Sequence, residues 1–423
     1  MSENPPPIRW KEERLKKKYA RSASDQVNVI VNQIQYTLDS PEREDAFARA
    51  MFPTDAEMAR YRHYREEWHR RAIEFDPGPA PLAVTCELVS TCDLACTMCY
   101  TITEEFQNSV IGAQRMLPWE TVTAVIDEAA AIGVHSMLFS WRGESTLYRQ
   151  RRGDKVYTFA DALKYARAKG ILEITSLTHG QLIDQAMAEA IVEAEPSWIS
   201  VSVDGVDDEY NRIRTPANKK GDPTYNAFAT VVENVRRLVR IRDAKGKTRP
   251  QVRSNTIYPA IARDPEGYRR FLEQIGVGMI TVNELLDLRD GDVPEHMRME
   301  HWACQYPFQR LTVSANGIIL PCTGAHKEQS GLVLGRYRGS PSKTVRNADG
   351  SVADVAVPEM TLAEAWRCEK LENIRTLHRT NRRCEIHPGC RNCNHGVKKF
   401  GPNRMPEQWN PEQQSWVGAT RVG

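Results

Sequence analysis

Three thiols fall within eight residues in the stretch Cys92-Asp-Leu-Ala-Cys96-Thr-Met-Cys99-Tyr100, which follows the short apolar segment 82–88. An apolar run of this length predicts a buried strand, so the cysteines are expected in a loop at the strand's carboxyl end. Such a loop can wrap three thiolates around one corner of a cuboidal iron–sulfur cluster. The fourth iron then stays open, and a substrate or cofactor can bind it.

The sequence around this loop repeats one pattern, a short apolar run followed by an amphipathic helix. The predicted strands are 82–88, 136–140, 171–176, 198–203, 251–258 and 279–283. The predicted helices between them are 118–132, 158–169, 181–194, 225–242 and 265–275. This α/β alternation favours parallel strands with right-handed crossovers, either in an open doubly wound sheet or in a partial barrel. In both, a functional site is expected at the carboxyl ends of the strands.

Composition divides the chain into three parts. Residues 1–80 are predicted to form a helical extension, with one helix over 54–74 and another whose apolar face has helical spacing. That face consists of Val27, Ile30, Val31, Ile34 and Leu38. The α/β repeat occupies residues 81–298, after a Pro-rich linker. Residues 299–423 are rich in Gly, Pro and Cys, which indicates a small α+β module that depends on bound metal.

The charge balance does not indicate a nucleic-acid partner, because 57 Lys and Arg against 55 Asp and Glu leave a net charge of only +2. No window approaches eighteen consecutive apolar residues, and the N-terminus lacks a signal peptide's apolar stretch. We therefore expect neither a membrane span nor secretion, with the cytoplasm as the default location. In a reducing compartment the ten cysteines are expected to bind metal rather than to form disulfides.

The C-x3-C-x2-C loop with the following aromatic residue, Tyr100, resembles the signature of the radical SAM superfamily. Three further motifs at predicted strand ends strengthen the resemblance. The segment Arg142-Gly143-Glu144 is similar to the family's Gly-Gly-Glu motif, which meets the amino group of S-adenosylmethionine (SAM), although Arg142 replaces the first glycine. Thr178-His-Gly180 resembles a Thr-Asn-Gly turn, and Ser202-Val-Asp204-Gly resembles a Ser-x-Asp-Gly strand end.

The resemblance implies a partial (β/α)6 TIM-like barrel with a [4Fe–4S] cluster held by Cys92, Cys96 and Cys99. The implied chemistry is reductive cleavage of SAM to a 5′-deoxyadenosyl radical that abstracts hydrogen from a substrate, with Glu144 beside the reacting cofactor. An electron donor such as flavodoxin or ferredoxin is implied as a partner. The residues placed at the cofactor or substrate are Tyr100, Gly143, Glu144, Thr178, Ser202, Asp204, Arg214 and Asn255.

A second cysteine set occupies the last part of the chain. A predicted hairpin with Gly317 at its turn separates Cys304 from Cys322, and Cys390 and Cys393 form a C-x2-C pair. Such a set suits zinc or an iron–sulfur cluster. The set resembles the SPASM/twitch extension of radical SAM enzymes, which implies one auxiliary [4Fe–4S] cluster here. Cys384 is a possible replacement for one of the four ligands.

The expectation about the substrate rests only on the resemblance to known enzymes. The Cys304-to-Cys322 spacing resembles that of an aminocyclitol dehydrogenase, so we expect oxidation or epimerisation of a carbohydrate- or aminocyclitol-like metabolite. Modification of a ribosomally made peptide, by epimerisation, crosslinking or thioether formation, is the alternative. A non-catalytic zinc-binding protein is the second alternative. Cys86, on the first predicted strand, is either a buried small residue or a thiol that returns a hydrogen atom to a substrate radical.

Overall fold

The computed structural model describes most of the chain from residue 28 onward. The described residues are 28–32, 35–37, 39–104, 106, 115–219, 221–222, 224–283, 303–325, 331–340, 344–346, 352–354, 357–391, 393, 396–400, 408–410 and 415–417.

Among the described residues, the N-terminal part contains two short strands and two helices: β1 (Asn28–Asn32), β2 (Gln35–Thr37), α1 (Pro41–Met51) and α2 (Asp55–Glu74). The helix predicted from the apolar face of Val27 to Leu38 is therefore wrong at residues 28–32 and 35–37, and the part of the predicted helical extension before residue 28 lies outside the described residues. β1 pairs with residues 396–400 and β2 pairs with residues 281–283. Partners this distant in sequence override a local helical spacing, and β-branched Val and Ile suit strands as well as helices.

Where the structure describes it, the α/β part contains eight strands and seven α-helices. The strands are β3 (Ala83–Cys86), β4 (Ser136–Leu138), β5 (Arg149–Arg152), β6 (Lys155–Thr158), β7 (Glu173–Thr178), β8 (Trp198–Ser202), β9 (Gln251–Ile257) and β10 (Met279–Asn283). The helices are α3 (Trp119–Ala131), α4 (Phe159–Ala168), α5 (Gln185–Ala194), α6 (Asp207–Arg214), α7 (Ala227–Ala244), α8 (Tyr258–Ile261) and α9 (Pro265–Gln274).

The six predicted strands form one parallel array in chain order, β3-β4-β7-β8-β9-β10. This is the sheet of a partial (β/α)6 barrel, as predicted. Among the described residues the sheet does not close on itself, because β2 extends it beyond β10 and further strands extend it beyond β3. The hairpin β5–β6 lies outside this sheet and was not predicted.

The C-terminal part contributes strands to the same sheet. Its elements are β11 (Arg310–Val313), β12 (Ile318–Leu320), β13 (Gly335–Tyr337), β14 (Thr344–Arg346), β15 (Val352–Asp354), β16 (Glu359–Met360), α10 (Leu362–Arg367), α11 (Glu369–Arg379), α12 (Pro388–Arg391), β17 (Gly396–Phe400), β18 (Gln408–Asn410) and β19 (Ser415–Val417). β11 runs parallel to β3, and β12 returns antiparallel to β11. The predicted hairpin turn is confirmed, with Gly317 at a φ of +82°.

Apolar residues pack on the outer face and at the amino end of the barrel. The outward side chains of the strands pack against the helices in one large core, which includes Val84, Val125, Ile174 and Val201. A smaller cluster, including Phe52, Trp68 and Trp198, packs α1 and α2 beneath the amino ends of the strands. The site is thereby left at the carboxyl ends. No helix among the described residues has the length and apolar character needed to cross a membrane.

Candidate active site

The loop that carries the first three cysteines lies at the carboxyl end of β3, as predicted. Its start is held by the amide of Glu144, which donates to the Thr91 carbonyl at 2.9 Å. Its far side is held by the end of α6, because the Thr97 amide donates to the Ile213 carbonyl at 3.3 Å. The loop is therefore positioned by two neighbouring segments of the barrel.

The thiols of this loop interact electrostatically in pairs, Cys92 with Cys96 and Cys96 with Cys99. Cys96 is buried, Cys99 is partly buried and Cys92 is exposed. Burial raises the pKa of Cys96, and the neighbouring Cys99 thiol adds to the rise. Thiolates are the iron ligands in such clusters, and bound iron would stabilise that form. The donor set therefore fits an iron–sulfur cluster with three cysteine ligands.

Arg214 faces this cluster loop. Its guanidinium lies 3.7 Å from the Cys96 sulfur and forms an ion pair with Asp204. The other carboxylate oxygen of Asp204 accepts a hydrogen bond from the Ile257 amide at 2.9 Å. Asp204 is fully buried, so it positions Arg214 and joins β8 to β9. The predicted direct contact of Asp204 with the cofactor stays a prediction.

Glu144 accepts hydrogen bonds from three neighbouring residues. One carboxylate oxygen accepts from the amide and hydroxyl of Thr146, at 3.0 and 2.6 Å, and from the Thr178 hydroxyl at 2.7 Å. The other accepts from the His179 amide at 2.9 Å. Glu144 and Thr178, both predicted site residues, are thus brought together, and Thr178 orients the carboxylate.

Position 143, next to Glu144, has no room for a side chain. A Cβ atom there would lie 2.4 Å from the Val89 carbonyl oxygen and 2.6 Å from the Thr91 carbonyl oxygen. Real Cβ atoms do not approach backbone this closely, so only glycine lets this segment pack against the start of the cluster loop.

The remaining predicted cofactor residues fall into two groups. Tyr100 is buried under the loop, with its ring edge-on to Phe106 at 5.1 Å. Ser202 and Asn255 are paired in register on β8 and β9 near their carboxyl ends. The Asn255 side chain accepts a hydrogen bond from Asn283 at 2.8 Å. Both lie on later strands than β4, which precedes Glu144, and their contact with a cofactor or substrate stays a prediction.

Cys86 faces away from this site. It belongs to the large apolar core, as do Val84 and Leu88 two residues to either side, and it is fully buried. Side chains alternate along a strand, so the adjacent Glu87 points to the opposite face, where it contacts Arg142. The geometry therefore favours the buried small residue, and the hydrogen-donor role stays a prediction.

Asp93 and His179 were not predicted as functional residues. The His179 ring nitrogen Nε2 lies 2.8 Å from the Asp93 carboxylate and 3.4 Å from that of Glu144. Burial alone would lower the pKa of His179, but Glu144 and Asp93 outweigh it and raise that pKa. His179 thus ties the cluster loop to Glu144. The signal in the sequence was a histidine where the resembling turn has an asparagine.

The second cysteine set also comes together. Cys304, Cys322, Cys390 and Cys393 line one cavity, while Cys384 is not among the described residues around it. Burial raises the pKa of Cys304 to about 12 and that of Cys322 to about 11, and in both the Cys393 thiol adds to the rise. Cys304 is buried and the other three are partly buried, and four cysteines that line one cavity fit a cluster with four cysteine ligands.

Two polar side chains support this cavity. His378 accepts a hydrogen bond from the Cys304 amide at 3.1 Å, and burial together with Arg383 lowers its pKa to about 3. Arg383 donates to the carbonyl oxygens of Cys390 and Cys393, at 2.6 and 2.5 Å. The backbone around three of the four thiols is thus fixed by hydrogen bonds.

Comparison with known proteins agrees with this geometry. Residues 87–248 match the model of the radical SAM superfamily, and residues 304–394 match that of SPASM, an iron–sulfur cluster-binding domain. Fe-coproporphyrin III synthase of Methanosarcina barkeri is 30% identical over 164 residues, which are 38% of this chain and 36% of that protein. The chain's match thus spans about a third of that relative's length.

Two further relatives extend over more of the chain. PqqA peptide cyclase of Granulibacter bethesdensis is 24% identical over 270 residues, 58% of this chain and 68% of that protein. The solved structure of native anSMEcpe with bound AdoMet has a TM-score of 0.50 and 14% identity, covering 70% of this chain and 84% of that one. The latter likeness concerns the fold. Both family matches agree with the fold and the cysteine sites, so the chain contains a radical SAM domain at residues 87–248 and a SPASM iron–sulfur cluster-binding domain at residues 304–394.

Proposed function

We propose that this radical SAM enzyme abstracts a hydrogen atom from a carbohydrate- or aminocyclitol-like metabolite, which it oxidises or epimerises. The observation that carries the proposal is the chemistry of the barrel wall near the strand ends. Ser200, Ser202, Asn255, Thr281 and Asn283 lie at alternating, same-facing positions of β8, β9 and β10. Small hydroxyl and amide groups exchange hydrogen bonds with the hydroxyl groups of such a substrate.

The proposed roles follow from the contacts. With SAM on its cluster, the site supplies a 5′-deoxyadenosyl radical. Cys92, Cys96 and Cys99 hold that cluster, and Arg214 places positive charge beside Cys96. Glu144 is oriented by Thr146, Thr178 and the His179 amide toward the cofactor. The helices below the barrel close its amino end, so reactants enter from the carboxyl ends of the strands.

We propose Cys304, Cys322, Cys390 and Cys393 as the ligands of one auxiliary [4Fe–4S] cluster. The proposal also includes a reducing cytoplasmic location, flavodoxin or ferredoxin as electron donor, and domain boundaries near residues 80 and 298.

The test is anaerobic reconstitution of the wild type and a Cys92/Cys96/Cys99→Ala variant. We expect about eight irons in the wild type and about four in the variant. Only the wild type should form 5′-deoxyadenosine from SAM, and an extract of polar metabolites containing the substrate should stimulate its formation. Zinc without iron would contradict the whole assignment.

Peptide modification is the second candidate, favoured by the similarity to PqqA peptide cyclase. The same assay separates the two, because the metabolite extract is divided by ultrafiltration into small molecules and peptides. Stimulation confined to the peptide fraction would replace the carbohydrate-like substrate with a peptide. Fractions from a boiled extract serve as controls for residual enzymes.

A further inference from the structure

The segment that precedes Glu144 also contacts the C-terminal cysteine site. We propose that Trp141 and Arg142 are positioning residues that fix the Cys322 segment against the SAM site, and that the Trp141 indole N–H tunes the auxiliary cluster. The inference rests on the proposed ligand role of Cys322, and on no assumption about the substrate.

Arg142 stands where the resembling motif has a glycine, and its side chain is 3% exposed. Its backbone amide and Nε both donate to one carboxylate oxygen of Glu87 at 3.0 Å, and Nη2 donates to the other at 2.6 Å. The Glu87 side chain is fully buried. Such a charge-assisted pair is geometrically specific, and either partner alone would be a costly buried charge.

The Glu87 carboxylate also accepts a hydrogen bond from the C-terminal domain. The oxygen that accepts from Arg142 Nη2 also accepts from the Ala315 amide at 2.9 Å. Ala315 lies in the turn between β11 and β12, and β12 leads directly to Cys322. Through Glu87, Arg142 therefore holds the turn of the hairpin whose second strand leads to this cysteine.

Trp141 makes the second connection, closer to the cavity. Its indole N–H donates to the carbonyl oxygen of Thr323 at 3.0 Å, and Thr323 directly follows Cys322. The Arg142 guanidinium lies 3.9 Å from the centre of the Trp141 ring, so the ion pair also fixes the indole. Trp141 and Gly143 are thus two residues apart, one at each metal site.

The indole N–H offsets the negative end of the Thr323 carbonyl dipole, which belongs to the residue next to Cys322; without this hydrogen bond, the carbonyl would disfavour the added negative charge of the reduced cluster. Losing the indole N–H should therefore lower the reduction potential of the auxiliary cluster. Loss of the packing of the Trp141 ring alone would not lower the reduction potential in this way.

The test compares Trp141→Phe, which keeps an aromatic ring and removes the donor, with Trp119→Phe. Trp119 stacks on Tyr157 in the barrel and serves as the matched control. Both are made in the Cys92/Cys96/Cys99→Ala variant, where only the auxiliary cluster contributes. At a fixed potential, Trp141→Phe should lower the ratio of reduced to oxidised cluster about threefold to tenfold, tenfold being 59 mV for one electron. The ratio should be unchanged in Trp119→Phe.

Electron paramagnetic resonance of the full enzyme gives a second readout, since the auxiliary signal should shift while iron content stays the same. A second variant, Glu87→Met/Arg142→Met, removes both charges and should change the potential in the same direction. An unchanged potential in Trp141→Phe with a full cluster would overturn this inference and leave the proposed function intact. Failure of the wild type to form 5′-deoxyadenosine would instead overturn the proposed function.

Discussion

Gly143 leaves no room for even one methyl group between the SAM motif and the cluster loop. We expect Gly143→Ala to destabilise the protein by about 2 kcal/mol or more, because the Val89 and Thr91 carbonyls belong to backbone that cannot rotate away. The displaced Glu144 should also weaken SAM binding at least tenfold. Calorimetric titration with SAM and urea unfolding measure the two effects.

Gly331→Ala is the control for that substitution. Its Cβ would make only an ordinary contact, 3.6 Å from His387. SAM affinity in Gly143→Ala equal to that of the control would show that the close packing is unimportant.

His378 gives the protein a pH dependence of stability. Its pKa is about 3 in the folded state, below the ordinary value of 6.5, because burial and Arg383 disfavour the cation. The unfolded chain therefore binds the proton first as pH falls below 6.5. The contribution of His378 to the free energy of unfolding is complete above pH 6.5. It should decline by about 1.4 kcal/mol per pH unit as the pH falls toward 3. Urea unfolding between pH 7 and pH 5 measures the slope.

The comparison variant for that slope is His378→Gln, whose amide oxygen can still accept from the Cys304 amide. We expect it to remove this component of the slope. Identical slopes in the two proteins would assign the acid sensitivity to other groups.

The helices α1 and α2 close the amino end of the barrel through a few large side chains. Trp68 of α2 is 6% exposed and packs edge-on to Tyr64, at 6.0 Å, and beneath the Arg310 guanidinium, at 5.0 Å. Trp68→Ala should cost about 3–5 kcal/mol in the free energy of unfolding. The exposed Arg62 on the same helix is the control, and Arg62→Ala should lie within about 0.5 kcal/mol of wild type.

The C-terminal cysteines give an element-level test of the ligand set. Cys390 lies on α12 and lines the cavity, whereas Cys384 lies in a 3-10 turn outside the described lining. Cys390→Ala should lose about four of about eight irons, and Cys384→Ala should keep all of them. Iron and sulfide analysis after anaerobic reconstitution decides it. Loss of iron in Cys384→Ala would make Cys384 a ligand.

Regular repeats were predictable and long-range pairings were not. The strand predicted over 279–283 and the helix predicted over 265–275 match β10 and α9 almost residue for residue, because each is a local apolar pattern. The strand β1 was not predicted, because the strand with which it pairs lies more than 360 residues away in the sequence. The hairpin β5–β6 begins with Arg149-Gln-Arg-Arg-Gly, a sequence typical of a charged loop. It has no alternation of apolar and polar residues that would predict strands.

The residues of the candidate site were predictable where they belong to a recognisable sequence motif. The cysteines and Glu144 were identified from spacing and resemblance; the structure places the four C-terminal cysteines around one cavity and the first three in one loop beside Glu144. Glu87 and Trp141 were missed because their roles depend on the placement of the C-terminal domain, which no local pattern encodes. A glutamate inside an otherwise apolar strand was the one available signal for Glu87.

The barrel and the C-terminal domain share one sheet, so we expect them to fold as one unit. A chain ending at residue 302 would leave β3 as an unpaired edge, because β11 would be missing. We expect this shortened chain to aggregate, as measured by size-exclusion chromatography after expression beside the full chain. A monodisperse, SAM-binding fragment would contradict this expectation.

The pairing of β3 with β11 also has a consequence for synthesis on the ribosome. Their partners Ala83 and Arg310 are more than 220 residues apart, which at about 5–20 residues per second is roughly 11–45 s of translation. During that interval the first cysteine loop has emerged while its neighbouring strand does not yet exist. Cluster delivery before release from the ribosome would meet a half-built site, so maturation is expected to be post-translational.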